Sequence, residues 1–454
     1  MSTIKGANTL SSGYDVANSC MFNPGDNPEL SRSTGDGNED VGSFSFWWKP
    51  AKAPGGAIFY TVYVDSSNFF DINVDGGGNF QVRNKLSGSY NLNFESSATY
   101  RDPSAWYNFV VLVDTTQSTE ANRMKAYVNG TQITSWQTAT YPSQNTDMIM
   151  NSNSRTAYIS HSGDRMHGYL AEFVLIDGTA QVVGDFGEFD SDSPTIWKPK
   201  DVSGLTKGTN GFYLDFEDSG TLGNCAFGGT DFTVSNLAAT DQMTDTPTNN
   251  FATLNPLIKG NTSFTFLEGN LQVDSGNNWG HGAGTIGLAN GKWYWEVDNI
   301  TAASNVFFGI CNEFNLSHLD GDSTPYSEAG LMLYFQDGRR TIDGSDSEGE
   351  YTAYGTTHGF ALDLDSGTRT IKFYRDNSLE GTENLTANFV AGEFVFPVLL
   401  MSASSNACGV DYNFGNEVTA LASGAADANG YGNFEFAPPS GYYAICSKNL
   451  AEYG

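Results

Sequence analysis

Hydrophobic and polar positions along this chain alternate in short, strand-sized stretches. Residues 106–114, WYNFVVLVD, form a continuous apolar run of the length expected for a strand covered on both faces. From Arg123 to Val128 the pattern alternates, with Met124, Ala126 and Val128 on one face and Arg123 and Lys125 on the other. Asn129-Gly130 then supplies residues that tolerate positive φ in a tight hairpin. Residues 170–176, LAEFVLI, run into a second turn signal at Asp177-Gly178. In the C-terminal half Phe360, Leu362 and Leu364 alternate with Ala361, Asp363 and Asp365. After the turn Ser366-Gly367-Thr368, Ile371 and Phe373 return around Lys372, which predicts a hairpin with one wet face. No segment holds a capped helical period, so helices are expected to be short and the chain all-β.

Between these halves lies AATDQMTDTPTNNFATLN, residues 238–255, rich in Thr, Asn and Asp and without periodicity. That composition predicts a linker, giving domains at 1–240 and 256–454 joined by 241–255. Residues 211–216, GFYLDF, are expected to close the first domain. A length of 454 residues accommodates two large sandwiches, and 51 glycines fit a turn-rich architecture.

Charge narrows the partners. With 22 basic against 52 acidic residues the formal charge is −30, which opposes nucleic acid and anionic lipid. Cys20, Cys225, Cys311, Cys408 and Cys446 show no CxxC or zinc spacing, and an odd number cannot pair completely within one chain. They are expected to be free and buried, as suits a reducing cytoplasm. The opening MSTIKGANTLSSGYDV lacks the charged start and apolar core of a signal peptide, and no apolar run approaches the roughly 18 residues of a membrane span.

Several segments carry family resemblances. GSFSFWWKP (42–50), WYNFVVLVD, MKAYVNG (124–130) and GYLAEFVLIDG (168–178) occur in the order found in laminin-G and concanavalin-like modules, which residues 18–235 resemble. GKWYWEV (291–297), FFGI (307–310), GFALDLDSGTRTIKFYRDN (359–377) and FPVLLMSASSNACGVDYNFGN (396–416) resemble a SPRY domain, another concanavalin-like sandwich. The resemblance implies two concanavalin-like antiparallel β-sandwich (jelly-roll) domains in tandem. Joined as they are, and closed by PPSGYYAICSKNL, they resemble structural proteins of tailed bacteriophages, particularly aquatic ones. What that resemblance implies is a virion surface protein made in the host cytoplasm: a fibre, knob or decoration protein. Its partners would be other virion subunits and host-surface glycans, and it would form a homo-oligomer, with a trimer the expectation.

The chemistry sought in the residues is sparse. A retaining glycoside hydrolase on such a sandwich needs two carboxyls about 5 Å apart, and the nearest segment is Glu188-Phe189-Asp190-Ser191-Asp192. Bounded by Gly187 and Pro194, it reads more readily as an acidic turn, so a non-enzyme is expected, with a polysaccharide depolymerase as the alternative. His161, His167, His281, His318 and His358 are dispersed without zinc spacing. Calcium would be held by oxygen-dense loops, with Asp36, Glu39 and Asp40 in one and Asp343, Asp346 and Glu348 in the other. Glycan would stack on loop aromatics. The candidates are Trp136 and Tyr141 in the first domain, and Trp279, His281, Tyr326, Tyr351 and Tyr354 in the second. Each of these also fits a bland role, packing under its own loop.

Overall fold

A computed structural model describes residues 4–5, 13–52, 55–161, 163–258, 264–275, 279–301, 305–318, 330–335, 340–342, 345–347, 357–402, 408–418 and 420–454. The chain divides into two compact units, residues 11–248 and residues 249–454, the second joined by the opening residues 1–10. The tie is a strand, Ile4–Lys5, paired in parallel with Ile286–Gly287.

The first unit is a sandwich of two eight-stranded sheets. One sheet runs in the order Thr131–Gln132, Met124–Val128, Tyr107–Asp114, Val41–Pro50, Gly168–Asp177, Ser19–Phe22, Gln242–Met243, with Phe212–Leu214 also pairing on Gly168–Asp177. The other runs Trp136–Thr140, Ser89–Thr99, Asn79–Leu86, Asn68–Val74, Ala57–Asp65, Thr156–Ile159, Glu29–Ser33, Thr233–Ser235. Their inner faces supply a core that includes Phe44, Phe46, Trp48, Phe109 and Phe173 against Phe59, Phe70, Phe80, Val82 and Phe94. Burying each such ring contributes roughly 1.5–3 kcal/mol, so the alternating positions decide which face turns inward. Phe80 and Phe109 stack across the sandwich at 4.4 Å.

The two outer faces differ. That of the first sheet is itself buried, by Met21, Trp47, Trp106, Tyr169 and Trp197 in one cluster and Val110, Val174, Ile176, Phe186 and Tyr213 in another. Residues 106–114 are therefore covered on both sides, as their unbroken apolar run predicts. The outer face of the second sheet mixes polar side chains such as Asp71, Arg83 and Gln81 with a few rings.

The second unit pairs an eight-stranded sheet, centred on Lys292–Thr301 and Thr357–Asp363, with a six-stranded one centred on Val395–Ser402 and Asn305–Asn312. Trp293 and Trp295 enter the core with Phe360, Leu362, Ile371 and Phe373. Tyr294 turns to the opposite face, onto Phe434 and Tyr442. Only Glu313–His318 and Ser447–Tyr453 are α-helices among the described residues, both short. Cys20, Cys225, Cys311 and Cys446 are free and buried.

The expected linker is corrected. Gln242–Met243 pairs with Ser19 and Cys20. Asp245 is buried, accepting from Lys49 Nζ at 2.5 Å and from Trp106 Nε1 at 2.9 Å. Phe251, Ala252 and Leu254 are buried in the second unit. The Thr and Asn content that mimics a linker reflects side chains that satisfy backbone groups in place of a regular ladder: Thr248 Oγ1 accepts from Val16 N, and Asn255 Oδ1 from Leu257 N.

Candidate functional site

The outer face of the second sheet is organised by register. In Asn68–Val74 the core takes Phe70, Ile72 and Val74, leaving Phe69, Asp71 and Asn73 outward. The neighbouring strands do the same with Gln81, Arg83 and Lys85 and with Asn93 and Glu95. Cross-strand pairing aligns these positions into rows. The first is Tyr90, Lys85, Phe69, Tyr63; the second is Asn93, Arg83, Asp71, Thr61, Tyr158, Ser31; the third is Glu95, Gln81, Asn73. Strands lie about 4.8 Å apart, so the first row is an aromatic and cationic ladder roughly 14 Å long.

Ring contacts make the ladder continuous. Tyr63 and Phe69 stack at 6.4 Å, and Phe69 meets Tyr90 edge-on at 6.1 Å. Lys85 Nζ lies 5.1 Å from the Tyr90 ring centre, and the Arg83 guanidinium lies 5.6 Å from that of Phe69. Tyr63 and Tyr90 are 44% and 40% exposed, while Phe69 between them is buried. At the Tyr63 end His161 lies 5.8 Å from Tyr63 and stacks on Tyr158 at 4.0 Å.

Behind the ladder the polar row is held rigid. Arg83 donates to both Asp71 oxygens at 2.9 and 2.7 Å, and Asn73 donates to Oδ1 at 3.1 Å. Burial raises the Asp71 carboxyl above its ordinary value, with Arg83 and Asn73 pulling the other way. Gln81 Nε2 donates to Glu95 Oε2 at 3.2 Å. Fixed acceptors and donors beside half-exposed rings are the combination that recognises a polyhydroxylated ring: apolar C–H faces on the aromatics, hydroxyls on the polar row.

From His161 the face continues into a cleft of about 330 Å³ lined by Pro24, Asn27, Lys52, Gly56, Gly163, Asp164, Arg165 and His167. Glu29 joins the two, with Oε2 2.9 Å from His161 Nδ1 and 3.6 Å from Arg165 Nη1.

The residues expected from sequence fare differently. Trp136 and Tyr141 both pack edge-on against the core residue Phe94, at 5.0 and 4.7 Å, so they cap the core instead of forming a loop site. Trp279 and His281 belong to the strand Trp279–Ala283, not a loop, and His281 is buried. Tyr326, Tyr351 and Tyr354 lie outside the described residues.

Glu188 is exposed on Gly187–Phe189, and Lys198 Nζ sits 3.5 Å from it and 3.4 Å from Asp190. Backbone N–H groups of Ser193 and Asp192 hold the Asp190 carboxyl below its ordinary value, the reverse of what a general acid needs. Of the first calcium loop, Asp40 accepts the Thr115 hydroxyl at 2.7 Å. No group of three or more His, Cys, Asp or Glu gathers as a metal site among the described residues. Asp343 and Glu348 fall outside them, and Asp346 is described only as backbone of Ser345–Ser347.

Two further carboxyls are perturbed. Glu172, at a bulge on the buried outer face of the first sheet with φ +52, accepts from the Tyr213 hydroxyl at 2.7 Å, and Tyr14 lies 2.9 Å beyond. Burial pushes it up to about 8. Asp298 pairs across strands with Asp411, and burial followed by that like charge pushes it up to about 7.

No curated protein matches the chain at a significant level. Among solved structures, the SPRY domain of human HERC1 is 15% identical, covering 35% of this chain and 96% of that one at a TM-score of 0.28. A heptameric SAP-like pentraxin from Limulus polyphemus is 13% identical over 37% of this chain and 80% of its own, also at 0.28. Stonustoxin is 17% identical at the same score, and the match spans only 27% of its chain. Residues 26–180, which include the whole ladder, match the family model described as the concanavalin A-like lectin/glucanases superfamily.

Proposed function

We propose that this chain is a glycan-binding attachment protein, and that the first unit recognises saccharide on the ladder Tyr90–Lys85–Phe69–Tyr63 and the polar row behind it. The observation that carries this reading is the alignment, on the outward face of one sheet, of half-exposed rings with a hydrogen-bonded polar row. We take the bacteriophage resemblance of the sequence to support a place on a virion surface, in many copies, where weak single sites would gain roughly 10²–10⁴ in avidity.

The test is binding of the purified chain to neutral and acidic polysaccharides and to host-type cells, with and without EDTA, while polymer length is followed. Tyr63→Ala and Tyr90→Ala are each expected to weaken binding roughly fivefold, about 1 kcal/mol of ring stacking. Unchanged binding by both variants would refute the ladder. Shortening of the polymer would instead favour the depolymerase, and loss of binding in EDTA would add calcium. Binding to nothing would leave assembly contacts as the better account.

A further inference from the structure

We infer that the cleft beside the ladder is a subsite for an anionic substituent, a carboxylate or a sulfate, so that the glycan engaged is an acidic one. This rests on the glycan reading above and adds the class of ligand.

The argument begins with the donor set. Four of the side chains lining the cleft carry N–H donors, Lys52, Arg165, His167 and Asn27, against two carboxylates, Asp164 in the lining and Glu29 beside Arg165. In a chain with 52 acidic and 22 basic residues, a concavity in which donors outnumber carboxylates goes against the surrounding composition. The −30 net charge repels an anion at long range, so one can be retained only where short-range donors converge.

Geometry fixes those donors. Arg165 Nη1 donates to the carbonyls of Pro28 and Ser160 at 3.0 and 3.1 Å, which sets its guanidinium in the wall while Nε and Nη2 carry further donors. Gly56 packs beside it, where a Cβ would come within 2.8 Å of the Asp164 carboxyl and push that side chain aside. Burial, and then Lys52, holds the His167 imidazole down at about 4, so at neutral pH it offers one N–H and no charge. Lys52 is exposed and adds a cation to the lining. Glu29 connects the end of the ladder to the cleft, its Oε2 lying 2.9 Å from His161 Nδ1 and 3.6 Å from Arg165 Nη1. A pyranose on Tyr63 could thus direct a charged substituent toward Lys52 and Arg165.

The experiment uses the full chain and two matched pairs of probes: polygalacturonate against its methyl ester, and dextran sulfate against dextran. Titration calorimetry is run on wild type, Lys52→Glu and the conservative Lys52→Arg. Binding of at least one charged polymer in preference to its neutral counterpart is expected, with the preferred pair telling carboxylate from sulfate. Lys52→Glu should weaken the charged polymer roughly tenfold, since a like charge in the lining is costly, and Lys52→Arg should retain binding. Equal affinity for charged and neutral polymers, or indifference to Lys52→Glu, would overturn the inference while leaving the glycan reading intact if Tyr63→Ala still weakens binding. Absence of binding by all four polymers would overturn both.

Discussion

Single residues show where the fold departs from ordinary sheet chemistry. Glu172 occupies a left-handed backbone position inside a strand and is buried beneath two tyrosines, with its carboxyl raised to about 8. Such a group retains its proton in the folded state at a pH where the unfolded chain has lost it. Folding is therefore favoured below the ordinary carboxyl value near 4.5, and this contribution is lost as pH rises toward 8. Integrated over that window the loss is at most about 4–5 kcal/mol. Glu172→Gln should remove this dependence, so that the variant gains on wild type between pH 5 and pH 9. Parallel shifts of both urea midpoints across that range would count against the assignment.

At the scale of strands and turns, side-chain alternation meets backbone geometry. Asn129 and Gly130 have φ of +45° and +74° and close the hairpin between Met124–Val128 and Thr131–Gln132. A Cβ on Gly130 would lie 2.3 Å from the Trp197 ring, whose Nε1 donates to Asn108 Oδ1 at 2.9 Å. Gly130→Ala is expected to cost about 2–3 kcal/mol, through both φ strain and overpacking, and chemical denaturation measures it directly. That hairpin was legible because its signal is local: six alternating residues and a turn pair. The ladder was not, because Tyr63, Phe69, Lys85 and Tyr90 become neighbours only through the register of four strands, and register is set by bulges such as those at Ile58 and Tyr63. A trace of it is present in three successive strands whose outward positions carry rings and hydrogen-bonding groups. Trp136 and Tyr141 drew attention as loop aromatics, yet the same apolar area that attracts a sugar is satisfied by Phe94.

For the molecule as a whole, the segment read as a linker is structural. Asp245 secures the returning chain to Lys49 and Trp106 in a site closed to water, where desolvation lowers the lysine's proton affinity and Asp245 restores part of it. Asp245→Ala leaves a buried cation without its partner and is expected to cost about 3–5 kcal/mol. Lys49→Met combined with Asp245→Leu should recover most of that loss, and denaturation of the two variants separates an ion pair from simple packing.

The pairing of Ile4–Lys5 with Ile286–Gly287 has a topological consequence. Residues 11–248 are inserted between residues 1–10 and 249–454, and near its two ends the inserted unit is tied to itself where Val16 N donates to Thr248 Oγ1 at 3.0 Å. A unit whose two ends lie close together can be exchanged as a cassette without cutting the rest of the fold, and residues 11–248 have that arrangement.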